Sequence, residues 1–547
     1  MLGSASRALA LLIALLVGVA APAATFFVDP TLGRDEALGT SPTQAWRTLA
    51  RAGRAELRSG DQLLLAAGPS HEGRLYFESL RGTAEAPIVI GRYVPPGGDE
   101  RAAATIDGRG KPAAVGLKNC QHVVVEDLVL TADGGTPVGS MRCGVLVEAA
   151  GPGEYRGISL RRLQVKSVSF EAPDFARPAA DVKTANGTGR YGWGIRFIVQ
   201  PGGAVMRDVS VRDCTIERVD HTGLKFTAPT DGIRDVIVER VHVAHTGGPG
   251  IQMSGLAGGR FAHLTVTHSG STADSRNWGR GSGLWTWGTR DVVIERSRFT
   301  HANGPGDSAG VHLDYHCRNI VVQYNVSAHN AGGFCEILGN NHNCAYRYNL
   351  SINDGHRVKG RDGAFQEGKI FWLSGYVGSK QTPKGPFNSY FYNNTIYVGA
   401  DIVTKFALAP TAAGVLVANN IFCVVGPSTQ VAGDQFQSDR LATRPIERAV
   451  MTHNLFLRAD TWPKNLGFTD AAPITGDPQF KKPGGDQPAD YTPQAVALIK
   501  DRGIPLSALP GDPIGLTVGL QVTTDLLGQP IVGQPDLGAI ELPATAP

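Results

Sequence analysis

Asp314 and Glu336 lie 22 residues apart (336 minus 314), each in a short run of alternating apolar and polar residues, Gly310-Val311-His312-Leu313-Asp314 and Gly333-Phe334-Cys335-Glu336-Ile337. Side chains alternate across a strand, so both acids read as outward-facing. On neighbouring parallel strands about 4.8 Å apart, their carboxyls are expected to stand roughly 5 Å from each other. That is the spacing of a retaining glycosidase pair, one nucleophile and one acid/base. Two carboxyls this close cannot both ionise freely, so one is expected to stay protonated as a general acid. Asp314 is read as the nucleophile and Glu336 as the acid/base. The roles reverse if Lys359, one coil further on, holds Glu336 ionised. Two stacked outward acids also suit a calcium site or a plain solvated face.

What must position these acids is a repeat. Arg207-Asp208-Val209-Ser210-Val211-Arg212-Asp213 returns as Arg234-Asp235-Val236-Ile237-Val238-Glu239-Arg240, as Arg290-Asp291-Val292-Val293-Ile294-Glu295-Arg296 and as Arg318-Asn319-Ile320-Val321-Val322-Gln323-Tyr324. The starts differ by 27 (234 minus 207), 56 (290 minus 234) and 28 (318 minus 290), so the middle step is two turns of one coil. Phe261-Ala262-His263-Leu264-Thr265-Val266 is read as the intervening copy. A strand-rich period in the high twenties cannot bury its apolar face alone and must stack, which predicts an all-β, right-handed parallel β-helix. Tyr324-Asn325, Tyr348-Asn349, Asn393-Asn394 and Asn419-Asn420 recur after the same strand. They read as turn residues whose amides form a ladder along the coil axis.

A second strand per coil has the form Gly-apolar-polar-apolar-polar, beginning at Gly194, Gly223, Gly250, Gly283, Gly310 and Gly332. Stacked, these strands present two outward columns. One holds Arg196, Lys225, Gln252, Trp285, His312 and Phe334, and the other Thr227, Ser254, Trp287, Asp314 and Glu336. Gly355-His356-Arg357-Val358-Lys359 would extend them with Arg357 and Lys359. Trp285 and Trp287 beside acids and cations are rings on which a sugar can stack, unless the loop 271–280 covers them. Asn340 and His342 are further candidate substrate contacts.

The stretch His312-Leu313-Asp314, the strand ending in Tyr324-Asn325 and Gly333-Phe334-Cys335-Glu336-Ile337 resemble the catalytic region of family 120 glycoside hydrolases. The resemblance implies a β-helix β-xylosidase in which an Asp and a Glu one coil apart act as nucleophile and acid/base. Val28-Asp29-Pro30, Gly39-Thr40-Ser41-Pro42 and Ser59-Gly60-Asp61-Gln62-Leu63 resemble the start of many carbohydrate-active β-helix proteins. The cations Arg196, Lys225, Arg357 and Lys359 depart from the family pattern and suit an acidic, uronate-bearing glycan. A polysaccharide lyase is therefore an open alternative, with a base among His312, His342, Tyr315, Arg357 and Lys359. In a lyase, Glu336 with Asn340 or Asn341 is a candidate Ca²⁺ site, although the motifs of chondroitinase B-like family 6 lyases are not evident. Otherwise no cofactor or metal is expected. A non-catalytic glycan-binding adhesin would keep the columns and dispense with the acids.

The remaining features bound these readings. A net charge of +3 on 547 residues offers nothing to a nucleic acid or a membrane surface, so the expected partner is a polysaccharide or oligosaccharide. Residues 1–23, with Arg7, the apolar run Ala8 to Ala20 and Ala21-Pro22-Ala23, have the layout of a secretory signal, which predicts a secreted or periplasmic protein without membrane insertion. Residues 24–114 read as an N-terminal cap with the first coils, 115–426 as the β-helix core and 427–547 as C-terminal coils and cap. Seven cysteines without a CxxC pair argue against a zinc site or a disulfide framework, and a Cys317 to Cys344 bridge stays open. Asn186-Gly187-Thr188 reads as a loop. His242, His245, His263 and His268 read as turn or surface residues.

Overall fold

The computed structural model describes residues 22–133, 141–168, 192–270, 280–378, 380–433 and 445–543. The N-terminal 21 residues, Asn186-Gly187-Thr188 and residues 271–279 lie outside them. The chain winds as a three-sheet β-helix whose 15-, 12- and 14-stranded sheets pair in parallel, each coil giving one strand to each sheet. One coil runs Arg290–Glu295, Arg298–Thr300 and Ala309–Leu313. The next runs Arg318–Gln323, Val326–Ala328 and Gly333–Ile337. No helix among the described residues is long and apolar enough to cross a membrane.

The repeated heptads stack in register, with Arg207 opposite Arg234 and Arg290 opposite Arg318. The intervening strand is Leu256–Ala262, which sets Ala257 between Arg234 and Arg290. It begins earlier than the copy read at Phe261, and Thr265–Ser269 belongs to the 14-stranded sheet. The sequence hides this because Ala257-Gly258-Gly259 lacks the Arg-Asp-Val signature, although Phe261 still fills the core slot between Val238 and Ile294. Among the described residues the first strand is Thr25–Val28, which precedes and pairs with Gln62–Ala66. Between them a helix of four residues, Leu49–Ala52, starts where the Thr48 hydroxyl accepts the Arg51 amide. From Lys500 on, the chain folds back onto earlier coils, where Arg347 donates to the Gly519 carbonyl and Asn393 to the Asp536 carbonyl.

Glycine at the head of the repeated strands in the 12-stranded sheet, from Gly194 to Gly310, has a steric cause. A Cβ at Gly223 would meet Val243 Cγ1 at 2.4 Å, and one at Gly250 would meet Val266 Cγ1 at 2.3 Å. The coil turns so tightly there that this position points at the neighbouring sheet. All seven cysteines are buried and free.

The asparagine ladder is present and buried. Asn325 Nδ2 donates to Asn349 Oδ1 at 3.1 Å, Asn349 to Asn394 at 3.0 Å, Asn394 to Asn420 at 3.0 Å and Asn420 to Asn454 at 2.8 Å. Asp470 ends the run by accepting from Asn454 at 2.7 Å. Each amide also caps a backbone carbonyl, as Asn394 does at Tyr346. Replacing Asn394 by Ala strands that carbonyl and the Asn349 amide away from water. The expected loss is about 3 kcal/mol of stability, and a thermal or urea melt of the variant checks it.

Candidate functional site

The site is built on the outward face of the 12-stranded sheet. Pairing places Arg196, Lys225, Gln252, Trp285 and His312 in one column, as the alternation predicts. The next rung differs. Glu336, not Phe334, stands opposite His312, and Trp372 follows it. The shift of two residues keeps Glu336 on the outward face and moves it out of line with Asp314, so the in-register spacing expected for Asp314 and Glu336 does not hold. Phe334 takes the inward slot occupied by glycine in earlier coils and packs against Tyr346 and Phe391.

Three carboxyls gather here, one of them unread in the sequence. Asp307 lies in the turn before Ala309–Leu313. Its carboxylate pairs with Arg280, and its amide donates to Gln366 Oε1 at 2.6 Å. His312 Nδ1 lies 3.9 Å from Asp307 Oδ2 and 3.6 Å from Glu336 Oε2. Asp314 Oδ2 accepts the indole N–H of Trp285 at 2.9 Å. Among the described residues, Asp307, His312 and Glu336 form the one trio whose ligand atoms lie within 4.8 Å of one another, near enough to share a cation.

This outward face is nonetheless buried at the site, where His312 is 1% exposed and Glu336 3%. Burial then separates the protonation states. It raises all three carboxyls, but around Asp307 the charges of Arg280, His312 and Arg357 and the Arg280 hydrogen bond prevail and hold it below its usual value. Asp314, buried and facing the negative Asp307, is pushed up to about 7, against the Trp285 hydrogen bond. Glu336 is driven well above the carboxylate range by burial and by Asp307, with Lys369 opposing. Burial drops His312 to about 4, so it is a neutral imidazole near pH 7. Both ring nitrogens of His312, Glu336 Oε1, Trp372 Nε1 and Gln366 Nε2 are buried without a hydrogen-bond partner.

The other predicted residues divide. Trp285 is buried as the support of Asp314, while Trp287 stays 36% exposed and packs on Tyr315 at 5.1 Å. Arg196 stacks over Trp193 at 4.0 Å, and Lys225 is buried beside it in the column. Arg357 is not in the columns: its guanidinium donates to the carbonyls of Gly304, Asp307 and Gln366 and thereby fixes the Asp307 turn. Lys359 is exposed, and its amide donates to Glu367. The segment 353–368 is an insertion between strands, and the true next strand is Lys369–Leu373. Trp372 is therefore a rung of the column, and the nearby cation is Lys369, whose Nζ lies 3.9 Å over the Trp372 ring. Asn340 bonds His316 and contacts His342 at 3.4 Å, beyond the strand's end. Asn341 is a corner amide between Cys317 N and the Leu313 carbonyl, which removes it from any Ca²⁺ set with Glu336.

A model described as right handed beta helix region matches residues 197–396. The lacto-N-biosidase of Bifidobacterium longum subsp. longum is 23% identical across 94% of this chain, which spans only 36% of that relative's length. The crystal structure of the GH136 lacto-N-biosidase from Eubacterium ramulus superposes with a TM-score of 0.52 at 19% identity, over 74% of this chain and 67% of that one. The complex of XylC with xylose matches at a TM-score of 0.44 and 10% identity, over 95% of this chain and 98% of that one. The chain is a right-handed parallel β-helix, similar in sequence and fold to carbohydrate-active enzymes.

Proposed function

We propose that this chain is a glycoside hydrolase acting on an oligosaccharide, with Asp307 and Asp314 as its working pair. The observation that carries the reading is a set of buried carboxyls with different partners, Arg280 on Asp307 and the Trp285 indole on Asp314, surrounded by buried polar atoms that the protein leaves unpaired. Unpaired buried donors and acceptors are costly, and sugar hydroxyls would satisfy them. Trp287, 36% exposed, offers a ring at the border of the site.

In this mechanism Asp314, protonated near neutrality, gives its proton to the glycosidic oxygen as the bond to the anomeric carbon breaks. Asp307, ionised and held by Arg280, faces the positive charge that develops on the sugar ring. Water then adds at the anomeric carbon, and its proton returns to Asp314. Burial and the neighbouring Asp307 favour the protonated form of Glu336, which in this reading serves as a hydrogen-bond donor to the substrate. This assignment departs from the pair Asp314 and Glu336 because the ionised group is Asp307.

Hydrolysis is favoured over elimination because the two arginines beside the carboxyls are engaged by groups of the protein itself. Arg280 pairs with Asp307, and Arg357 is spent on backbone carbonyls. Lyases need such cations for the uronate carboxyl. The similarity to lacto-N-biosidases makes release of lacto-N-biose the first specificity to test. An exported enzyme accords with the N-terminal segment. Aryl glycosides of lacto-N-biose, N-acetylglucosamine, xylose and glucuronic acid, offered separately, should show turnover of the lacto-N-bioside alone. Turnover of the xyloside or glucuronide alone would overturn that specificity.

A further inference from the structure

Four histidines outside the catalytic reading stand above one another at another corner of the coil. Pairing of Ala244 with Thr267 and Thr246 with Ser269 sets His245 against His268. Thr267 with Thr300, and Thr300 with Ala328, continue the column through His301 to His329. Ring centroids lie 4.9, 4.8 and 5.3 Å apart, with interplanar angles of 25°, 3° and 24°. All four backbones are left-handed, at φ of 54° to 56°. Glycine or asparagine occupies that region more readily, and the coils on either side place Arg218 and Asn353 there.

The column is accessible. His245, His268 and His301 are exposed and His329 is half-buried. The Thr267 hydroxyl engages His268 Nδ1 at 2.8 Å, which leaves Nε2 as the ligating atom. At the far end Asp486, from the C-terminal segment, brings Oδ1 to 3.4 Å from His329 Nε2, and its carbonyl accepts Arg298 at 3.1 Å.

We propose that this ladder binds borderline divalent transition metals such as Zn²⁺ or Ni²⁺, each ion bridging imidazoles of successive coils, with the Asp486 carboxylate completing the His329 end. Imidazole is the natural ligand of these ions. Bonds of about 2.0–2.1 Å require two nitrogens on one ion to approach more closely than the stacked rings do. Bringing two Nε2 atoms onto one ion requires the exposed rings to turn out of the stack, about a χ2 torsion that is broad in histidine. A bound ion would tie together coils otherwise joined by strand pairing, and so stabilise the β-helix by mass action.

The test uses the full chain stripped with EDTA, with calorimetric titration of ZnCl₂ and NiCl₂ and a thermal melt at saturating metal. The wild type should bind and melt at a higher temperature with metal than without. The variant H268N/H301N keeps residues suited to the left-handed backbone. It should bind at least about tenfold more weakly and lose the metal-induced rise in Tm, with far-UV circular dichroism and glycoside turnover unchanged. D486N should weaken the tightest site alone. Absence of binding by the wild type overturns the proposal, and so does undiminished binding by H268N/H301N, which would place the ion elsewhere, for instance among Asp307, His312 and Glu336. Glycoside turnover is read separately, so failure of the catalytic reading leaves this test intact.

Discussion

Replacing Asp307 by Asn lowers kcat/KM for the glycoside by about 10⁴-fold, the largest loss expected of any single substitution. The change is nearly isosteric, so Arg357 should still hold the Asp307 carbonyl and Gln366 the amide. What disappears is the negative charge that faces the reacting carbon. That charge also presses on Asp314 and Glu336. With it gone, ionising Asp314 costs less, so its pKa falls and the alkaline limb of the residual activity moves to lower pH. Kinetics of the purified variant across pH check both effects. Residual activity within about tenfold of wild type would remove Asp307 from the reaction.

The second large effect belongs to Asp314. As proton donor it must be protonated, and its carboxyl titrates at about 7. The wild-type kcat/KM should therefore fall roughly tenfold per pH unit above about 7. On the acid side activity should persist until Asp307 takes a proton, which its Arg280 partner delays to below the usual carboxylate value. Asp314→Asn cannot donate a proton to a departing oxygen, and a loss of about 10³-fold is expected. The alkaline limb should vanish with it. A dinitrophenyl leaving group needs little protonation, so the loss there should be far smaller. As the control, Glu336→Gln, which keeps the donor role assigned to Glu336, should lose less and retain the limb. Survival of the limb at pH 7 in Asp314→Asn would assign the titration to another group.

The fold was legible because its signal is repeated. Six glycine-headed strands and four heptads place the coil, and the physical demand behind each, a steric limit at Gly223 or a core slot at Val236, is local. The outward column from Arg196 to His312 followed from alternation alone. The site was legible only in part, because its decisive geometry comes where the repeat breaks. Asp307 sits in a turn, Gly304-Pro305-Gly306-Asp307-Ser308, where no period marks it. Its one sequence signal is an acid enclosed by small residues just before a strand. The insertion 353–368 displaced the next strand, so Lys359 stood in the reading where Lys369 and Trp372 stand in the structure. Glu336 kept its face because the register shift was even, and an odd shift would have buried it in the core. Likewise the histidine ladder could not be read, since its members are 23, 33 and 28 residues apart (268 minus 245, 301 minus 268, 329 minus 301) and only strand pairing aligns them.

The most direct test of the central claim is one incubation of the wild-type chain with a panel of neutral and uronate-bearing oligosaccharides, following reducing ends and absorbance near 235 nm together. Reducing ends that rise without absorbance, and that fail to rise with Asp307→Asn, are the predicted result. Rising absorbance would show an unsaturated uronate, product of elimination, and would contradict hydrolysis by Asp307 and Asp314.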